Sequence, residues 1–352
     1  MLTKNAIQLL EDRYLLKKGT RETPDQMFRR VAKYVASAEE FENITWEETF
    51  YGMMKNLEFL PNSPTLMNAG VPNGQLSACF VLPVEDSLTS IFTTLKNAAL
   101  IHQSGGGTGY NFSDLRPNGD PVSATGGTSS GPLAFMEIYD SATEHVKQGG
   151  KRRGANMGIL NVNHPDIEAF IVSKTEGRRL QNFNISVGIT NDFMQAVAKE
   201  IDWTLVNPRT NKVQKIVKAK SIWEAIVREA WKTGDPGLVF LDTINHKNPT
   251  PEQGSIKSTN PCGEVPLLDY ESCNLGSLNL MKVLEDGKKG AAINWHQLKS
   301  NIQVAIRFLD NVITVNHYLL PEIRKKVFLN RKIGLGVMGW AELLLSLNLP
   351  YA

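Results

Sequence analysis

The segment around Cys262 carries the combination of side chains best suited to chemistry. It reads Asn260-Pro-Cys-Gly-Glu264, and the proline and glycine beside the cysteine predict a bend, not a helix or a sheet ladder. In an extended tip alternate side chains share a face, so we expect Asn260, Cys262 and Glu264 to project together. A thiol that exchanges hydrogen, a carboxylate that takes a hydroxyl proton and an amide that orients a substrate suit a reaction on a polyol.

The other two cysteines, Cys79 and Cys273, lie in segments that are typical of short strands. Two adjacent strand thiols can cycle between dithiol and disulfide and supply two electrons. A buried, inert thiol is the more common role of a single cysteine, and a zinc site would need a nearby Cys or His pair that the sequence lacks. Three cysteines without a Cys-x-x-Cys pair exclude a disulfide scaffold.

Three glycine-rich segments could approach a nucleotide. The segment Ser104–Gly109 follows a predicted helix and has no Lys-Ser or Lys-Thr after its glycines, which excludes a P-loop. A tight connection and a close backbone approach to a nucleotide both explain these glycines. Residues 126–131 enter a predicted helix and form either an ordinary cap or an anion site. The basic segment 147–158 is either a solvated loop or a phosphate contact.

Short apolar strands alternate with helices along most of the chain, which predicts an α/β fold with a largely parallel sheet. Residues 1–60 form a predicted N-terminal helical region, and residues 61–352 form the predicted second domain.

The elements expected to position the cysteines are short. We predict a strand over 76–82 around Cys79, a bend at 260–264 and a strand over 275–280 just after Cys273. We also predict a helix over about 87–103, with Asp86-Ser87 as its cap, and a hairpin over 203–217.

Composition and charge restrict the class of protein. The 352 residues are 41% hydrophobic and 21% charged, as is ordinary for a globular protein, and the net charge of +2 favours no partner. No apolar run is long enough for a membrane span, and the acidic N-terminal segment does not resemble a secretory signal. We therefore expect a cytoplasmic protein without a membrane partner, and the single dense basic run is weak support for nucleic-acid binding.

Together, and in order, several motifs resemble the large subunits of ribonucleotide reductases. The similarity runs from about residue 5 to the C-terminus and accounts for all three cysteines. The motifs are Asn62-Ser-Pro-Thr-Leu-Met-Asn-Ala-Gly70, Ser77-Ala-Cys79-Phe, Gly149-Gly-Lys-Arg-Arg-Gly-Ala-Asn156, Asn260-Pro-Cys262-Gly-Glu264 and Ser272-Cys273-Asn-Leu-Gly-Ser.

The resemblance implies a ten-stranded α/β barrel built from two five-stranded halves, with a finger loop at about 255–270. It implies that Cys262 is the thiyl site that removes the 3′-hydrogen of the substrate, that Glu264 takes the 3′-hydroxyl proton, and that Asn260 binds the ribose. It also implies that Cys79 and Cys273 reduce the 2′ position and leave as a disulfide.

The same resemblance implies two nucleotide sites. Ser63, Ala78 and the loop Gly105-Gly106-Gly107 match segments that touch the ribonucleotide substrate. Three further residues match the specificity site for a deoxynucleoside triphosphate or ATP effector, and the segment from Glu176 to Asn184 would relay that signal. The three effector residues are Asp86, Ser87 and Arg116.

The short spacing between Cys262 and Cys273 is similar to that of class II enzymes, whose cofactor is adenosylcobalamin. The alternative is a class I subunit, which receives its radical from a separate metal-containing small subunit. The resemblance further implies a thioredoxin-like reductant and a homodimer of the completed catalytic unit.

The family's second half-barrel and its C-terminal cysteines have no counterpart before Ala352. We therefore expect the chain alone to be inactive and to need a complementary C-terminal chain. An inactive remnant that only binds effector, and a thiol-dependent enzyme acting on another polyol, remain alternative hypotheses.

Overall fold

The chain folds into two compact units. The structure, a computed structural model, describes residues 2–18, 20–122, 126–148, 152–175, 180–287 and 290–351. Unit 1 combines Met1–Ala78 with Ser272–Ala352, and unit 2 comprises Cys79–Glu271.

The helices, in chain order, are α1 (Lys4–Arg13), α2 (Pro24–Ala36), α3 (Asn43–Lys55), α4 (Ser63–Asn68), α5 (Leu88–Gln103), α6 (Gly131–His145), α7 (Ile167–Val172), α8 (Asn191–Ala198), α9 (Ala219–Thr233), α10 (Leu241–His246), α11 (Trp295–Val315), α12 (Pro321–Asn330) and α13 (Trp340–Ser346). Short 3₁₀ helices span Pro251–Gln253 and Leu280–Val283. The strands are β1 (Lys17–Lys18), β2 (Thr20–Arg21), β3 (Phe59–Pro61), β4 (Cys79–Val81), β5 (Gly107–Asn111), β6 (Pro121–Val122), β7 (Gly127–Thr128), β8 (Lys147–Gln148), β9 (Arg152–Arg153), β10 (Asn156–Asn161), β11 (Phe183–Ile189), β12 (Asp202–Val206), β13 (Val213–Lys218), β14 (Gly237–Phe240), β15 (Ser258–Thr259), β16 (Pro266–Leu267), β17 (Ser272–Asn279), β18 (Leu284–Gly287), β19 (Gly290–Ile293) and β20 (Ile333–Met338).

The helices of unit 1 form because capping and apolar periodicity agree. Helix α2 begins at a capping box, in which Thr23 and Gln26 bond each other's backbone N–H groups. Its buried face, which includes Val31 and Val35, packs against α3 and α11. The centre of this core is aromatic, because the rings of Phe50 and Phe308 meet edge to face at 5.1 Å.

In unit 1, strand β17 pairs with β20 in parallel and with β3 in antiparallel. The predicted strand over 76–82 is shorter than expected and covers Cys79–Val81 alone. The reason is that the backbone at Leu76 bonds side chains: its N–H donates to Asn316 and its carbonyl accepts from Thr65.

Unit 2 contains five parallel strands in the order β14-β11-β10-β5-β4. Parallel neighbours need long crossovers, and α5 and α6 supply these on either side of β5. The α/β fold with a parallel sheet is thus confirmed, as is the predicted hairpin, formed by β12 and β13. Five strands is the number that the resemblance implies for one half-barrel.

Within the described ranges, every helix is too short or too polar to span a lipid bilayer. Part of the segment expected to act as a relay, residues 176–179, lies outside the described residues.

Candidate active site

Cys262 lies at the tip of the hairpin formed by β15 and β16. The Asn260 N–H donates to the Val265 carbonyl (3.2 Å), and the Gly263 N–H donates to the Asn260 carbonyl (3.1 Å). The second bond closes a four-residue turn, which Gly263 leaves at a φ of 83° that glycine adopts without strain. The expected extended tip is therefore wrong. Type I turns favour asparagine at their first position, proline at the second and glycine at the fourth, so the sequence contains a signal for this turn.

The hairpin rests directly on two strands of the unit 2 sheet. A Cβ on Gly109 would lie 1.7 Å from the carbonyl oxygen of Thr259, and one on Gly107 would lie 2.7 Å from the Cγ atom of Pro261. The side-chain amide of Asn184, on β11, donates to the Pro261 carbonyl at 2.6 Å. The glycines of β5 thus allow the hairpin to approach the sheet closely, and Asn184 of β11 holds the turn through its hydrogen bond to Pro261. The resemblance placed Asn184 in the relay segment, but the sequence did not predict its contact with the turn.

The base of the hairpin tip faces the thiol of Cys79, which is buried at the start of β4. The Nδ2 atom of Asn260 lies 3.2 Å from Cys79 Sγ, while its Oδ1 accepts from the Val265 N–H at 3.0 Å. The Sγ atom of Cys79 also points to Glu264 Oε1, at 4.0 Å. Asn260 is 1% exposed, so its amide is fixed at both ends. The turn therefore presents an amide and a carboxylate to one buried thiol.

Cys262 and Glu264 are exposed at the tip, in contrast to the buried Asn260. All three cysteines lie in the described part of the chain, and none forms a disulfide there. An exposed thiol beside a carboxylate can exchange a hydrogen with a molecule that arrives from solvent.

Cys273 is buried in unit 1, in strand β17, which begins at Ser272 and therefore includes this cysteine, whereas the predicted strand over 275–280 began just after it. Within that unit its carbonyl accepts a hydrogen bond from the Ala78 N–H at 3.3 Å. Ala78 itself is 8% exposed. Ser63, at the first position of α4, is half-buried and lies 2.8 Å from the hydroxyl of Tyr14. Of the residues expected to touch substrate, Ser63 and Ala78 therefore belong to unit 1.

The loop Gly105–Gly107 has a structural reason for each glycine. Gly105 has a φ of 93°, which favours glycine. A Cβ on Gly106 would lie 2.6 Å from both Ile101 and Phe80. Gly105 therefore fits a tight connection, whereas Gly106 and Gly107 leave room for the side chains of Ile101, Phe80 and Pro261. Contact with a nucleotide stays a prediction.

The three residues expected to bind an effector lie near the start of α5. Ser87 caps that helix by accepting from the Ser90 N–H at 3.1 Å. The Nε atom of Arg116 donates to the Asp86 carboxylate at 2.8 Å, and the Arg116 backbone N–H donates to it at 3.2 Å. The side chains of Asp86 and Arg116 are both about three-quarters buried, so the ion pair is held in place. It lies near the exposed Ser87.

The two remaining glycine-rich segments differ in what can be described. At the start of α6, the Asp166 carboxylate accepts from the Asn118 N–H at 2.9 Å, and a Cβ on Gly131 would lie 2.7 Å from the same carboxylate. The carboxylate of Asp166 therefore lies close to the place where the sequence offered an anion site. Within the basic segment, residues 149–151 lie outside the described residues.

Comparison with known families covers both parts of the chain. A family described as "Ribonucleotide reductase, all-alpha domain" matches residues 1–74, and one described as "Ribonucleotide reductase, barrel domain" matches residues 77–352. These matches confirm the expected fold, a helical N-terminal region followed by part of the α/β barrel.

Individual relatives are similar over nearly the whole chain. "Vitamin B12-dependent ribonucleoside-diphosphate reductase" of Thermoplasma acidophilum is 49% identical over 99% of this chain and 53% of its own length. The Mycobacterium tuberculosis (strain ATCC 25618 / H37Rv) protein of the same name is 52% identical over 99% of this chain and 50% of its own. "Ribonucleoside-diphosphate reductase subunit alpha" of Chlamydia pneumoniae is 32% identical over 98% and 36%. The chain therefore spans about half the length of the first two relatives.

Proposed function

Because the chain belongs to the ribonucleotide reductase family, we propose that it carries the active-site thiols of an enzyme that reduces ribonucleotides to 2′-deoxyribonucleotides. The observation that carries this proposal is the hairpin tip, where Asn260 and Glu264 approach the buried thiol of Cys79 beside the exposed Cys262. A solitary structural cysteine needs neither polar neighbour.

The reaction begins and ends at Cys262. Its thiyl radical takes the 3′-hydrogen of the ribose, while the Glu264 carboxylate accepts the proton of the 3′-hydroxyl and returns it once the 2′ position has been reduced. The 2′-hydroxyl then leaves as water. Cys79 and Cys273 provide two electrons and two hydrogens and become a disulfide, and Cys262 returns its hydrogen to C3′. One ribonucleotide and two thiols thus give one deoxyribonucleotide, one disulfide and one water.

The amide of Asn260 orients the sugar in this scheme. Its Oδ1 is committed to the Val265 N–H, so its Nδ2 has a fixed direction. A preorganised donor of this kind loses no entropy when substrate binds, which is the physical basis of its contribution. The loop Gly105–Gly107, together with Ser63 and Ala78, contacts the nucleotide.

Adenosylcobalamin is the cofactor of this proposal, and when bound it supplies the radical that is passed to a thiol. The vitamin B12-dependent names of the relatives support this choice. The exposed thiol of Cys262 fits the requirement, since a thiol that meets a separate cofactor must be accessible. We propose Cys262 as the residue that accepts the radical, and we assign no residue that binds the corrin.

Effector binding is proposed at Asp86, Ser87 and Arg116, with a deoxynucleoside triphosphate or ATP as the ligand. The start of α5 favours an anion, because a helix N-terminus carries partial positive charge, and Arg116 lies beside it in an ion pair with Asp86. Residues 176–184 relay the effector signal to the substrate loop.

The completed enzyme is proposed to include a complementary chain with the second half-barrel, a thioredoxin-like reductant and a second copy of the catalytic unit. Support for the homodimer comes from α5 and α6, which expose apolar side chains. These are Leu88 (64% exposed), Phe92 (48%), Leu100 (39%) and Ile138 (41%).

Replacement of Cys262 by serine tests the proposal. We expect the chain, together with its complementary chain and adenosylcobalamin, to form deoxynucleotides, and Cys262→Ser to abolish this activity without unfolding. Ser255→Ala, at an exposed position near the hairpin, is the control and should retain activity.

Turnover by Cys262→Ser at the control's rate would contradict the radical role of Cys262. Turnover that requires a metal-containing small subunit instead of adenosylcobalamin would favour the class I alternative. Deoxynucleotide formation by the chain alone would contradict the need for a complementary chain.

A further inference from the structure

A buried polar cluster in unit 2 lies directly behind the loop Gly105–Gly107. It comprises His102 of α5, Thr108 and Tyr110 of β5, Thr143 of α6 and Asn156 of β10. All five are at most 3% exposed. Burial of so many polar groups is costly unless each is paired, so the pairing pattern is informative.

Asn156 is the centre of this cluster, and its side-chain amide uses its full hydrogen-bonding capacity. The Oδ1 atom accepts from the hydroxyls of Thr108 (2.9 Å) and Tyr110 (3.3 Å). The Nδ2 atom donates to Thr143 Oγ1 (2.9 Å) and to the carbonyl of Asn182 (3.3 Å). An amide has two acceptor sites and two donor hydrogens, so none remains for a ligand.

Thr108 Oγ1 has three polar neighbours: His102 Nε2 at 2.8 Å, the Tyr110 hydroxyl at 2.7 Å and Asn156 Oδ1 at 2.9 Å. When its single proton goes to Asn156, the ring of His102 donates to Thr108 through Nε2–H. Burial lowers the pKa of His102 to about 4, so the ring is neutral near pH 7 and can adopt this tautomer. The chain of donors therefore runs from His102 through Thr108 to Asn156.

The cluster joins the loop Gly105–Gly107 to the segment that contains Asn182. Thr108 follows Gly107 of the substrate loop and lies opposite Asn156 in the parallel register of β5 and β10. The Asn182 carbonyl also accepts from the Asn156 backbone N–H, at 2.9 Å. Asn182 belongs to the segment expected to relay the effector signal, and Asp140 of α6 accepts from its N–H at 2.7 Å.

We infer that Asn156 and Thr108 are positioning residues for substrate selection: they couple the position of the 180–184 segment to that of the loop Gly105–Gly107. A shift of the Asn182 carbonyl must either move the Asn156 amide, and with it Thr108, or break buried hydrogen bonds. Both side chains are fully buried, so they act through the loop and not by contact with substrate. This inference rests on the proposed function and specifies how its relay would act.

Thr108→Val is the test, because valine keeps the shape and removes the hydroxyl. Thr143→Val is the matched control. It removes a hydroxyl that accepts from the Asn156 amide, but it leaves the hydrogen bonds that connect Asn182 to Thr108 through Asn156 intact. In the completed enzyme, the readout is the ratio of kcat/KM for two ribonucleotides with and without effector. We expect the effector-dependent change in this ratio to fall at least about fivefold in Thr108→Val. Thr143→Val and the hydroxyl-retaining Thr108→Ser should keep it.

An unchanged effector response in Thr108→Val, with normal wild-type turnover, contradicts this inference alone. Absence of turnover in the wild-type complex contradicts the proposed function and this inference with it. If Thr108→Val does not fold, hydrogen exchange of the wild-type complex decides: effector binding should alter exchange in peptides covering 104–110, and unaltered exchange there overturns the coupling.

Discussion

At the residue scale, the hairpin tip separates a buried positioning group from an exposed acid. Asn260 is buried and both ends of its amide are hydrogen-bonded, whereas Glu264 is exposed and lies 4.0 Å from the thiol of Cys79. An exposed carboxylate contributes little to folding, so its replacement should affect chemistry selectively. The sequence predicted the bend at this tip, but it predicted an extended tip instead of the observed four-residue turn.

Glu264→Gln should lower kcat by about 10²- to 10⁴-fold, the usual contribution of a positioned acid–base group. The melting temperature should stay within a degree or two of wild type, because the side chain is exposed. Glu252→Gln, another exposed glutamate of unit 2, is the control. A full rate of turnover in Glu264→Gln would remove the carboxylate from the mechanism.

Asp120 gives a second prediction at this scale. The Arg209 guanidinium, at 2.7 Å, holds the pKa of the buried Asp120 carboxyl below its ordinary 3.8 against the opposing effect of burial, and Asn207 and Arg116 lower it further. A depressed pKa stabilises the fold above the unfolded-state value and loses that effect as the pH falls through the folded-state value.

Asp120→Asn should therefore lower the melting temperature at pH 7, and the difference from wild type should shrink as the pH falls below about 4. Thermal unfolding of both proteins from pH 7 to pH 3 measures it. A difference that stays constant over this range would show that ionisation of Asp120 does not contribute.

At the element scale, β5 is the platform on which the hairpin rests. Strand β5 has glycine at the positions where the backbone of β15 and the ring of Pro261 approach. Local signals predicted the bend at 260–264 and a strand around Cys79, whereas the finger loop was implied by the family resemblance. The buried cluster around Asn156 had no such signal, since it depends on the register that places Asn156 opposite Thr108.

Gly109→Ala should destabilise unit 2 by about 1–3 kcal/mol and greatly reduce turnover, because the new methyl group meets the backbone of Thr259. Gly52→Ala is the matched control. Apart from its chain neighbours and the backbone of its own helix, no atom of the described residues lies within 4 Å of a Cβ at that site in α3, so alanine should be neutral or stabilising by up to about 1 kcal/mol. Urea unfolding compares the two, and equal stabilities would contradict the close packing.

At the scale of the whole molecule, unit 1 joins the two ends of the described chain. Tyr34 donates its hydroxyl hydrogen to the Val315 carbonyl at 3.0 Å, and Arg307 forms two bonds with Glu39, at 2.7 and 2.6 Å. These partners are more than 260 residues apart in sequence. Helical periodicity predicted the individual helices, but no local pattern could reveal contacts over such a separation.

Phe308→Ala should destabilise unit 1 by about 3–5 kcal/mol, because it removes a fully buried ring that packs edge to face on Phe50 and Phe59. Denaturant unfolding followed by tryptophan fluorescence measures the loss, since Trp46 packs on Phe50 at 5.5 Å. Leu329→Ala, at a position 61% exposed in the same unit, should cost far less. Equal losses would contradict the assignment of Phe308 to this core.

The most direct test of the proposed chemistry is a single turnover without external reductant, followed by mapping of disulfides by mass spectrometry. The proposed completed enzyme is used, with any redox cysteines of its proposed complementary chain replaced by serine. We predict one deoxynucleotide per active site and a new disulfide between Cys79 and Cys273, with Cys262 still a thiol. Product formation that leaves Cys79 and Cys273 reduced, or that joins either of them to Cys262, would contradict the account.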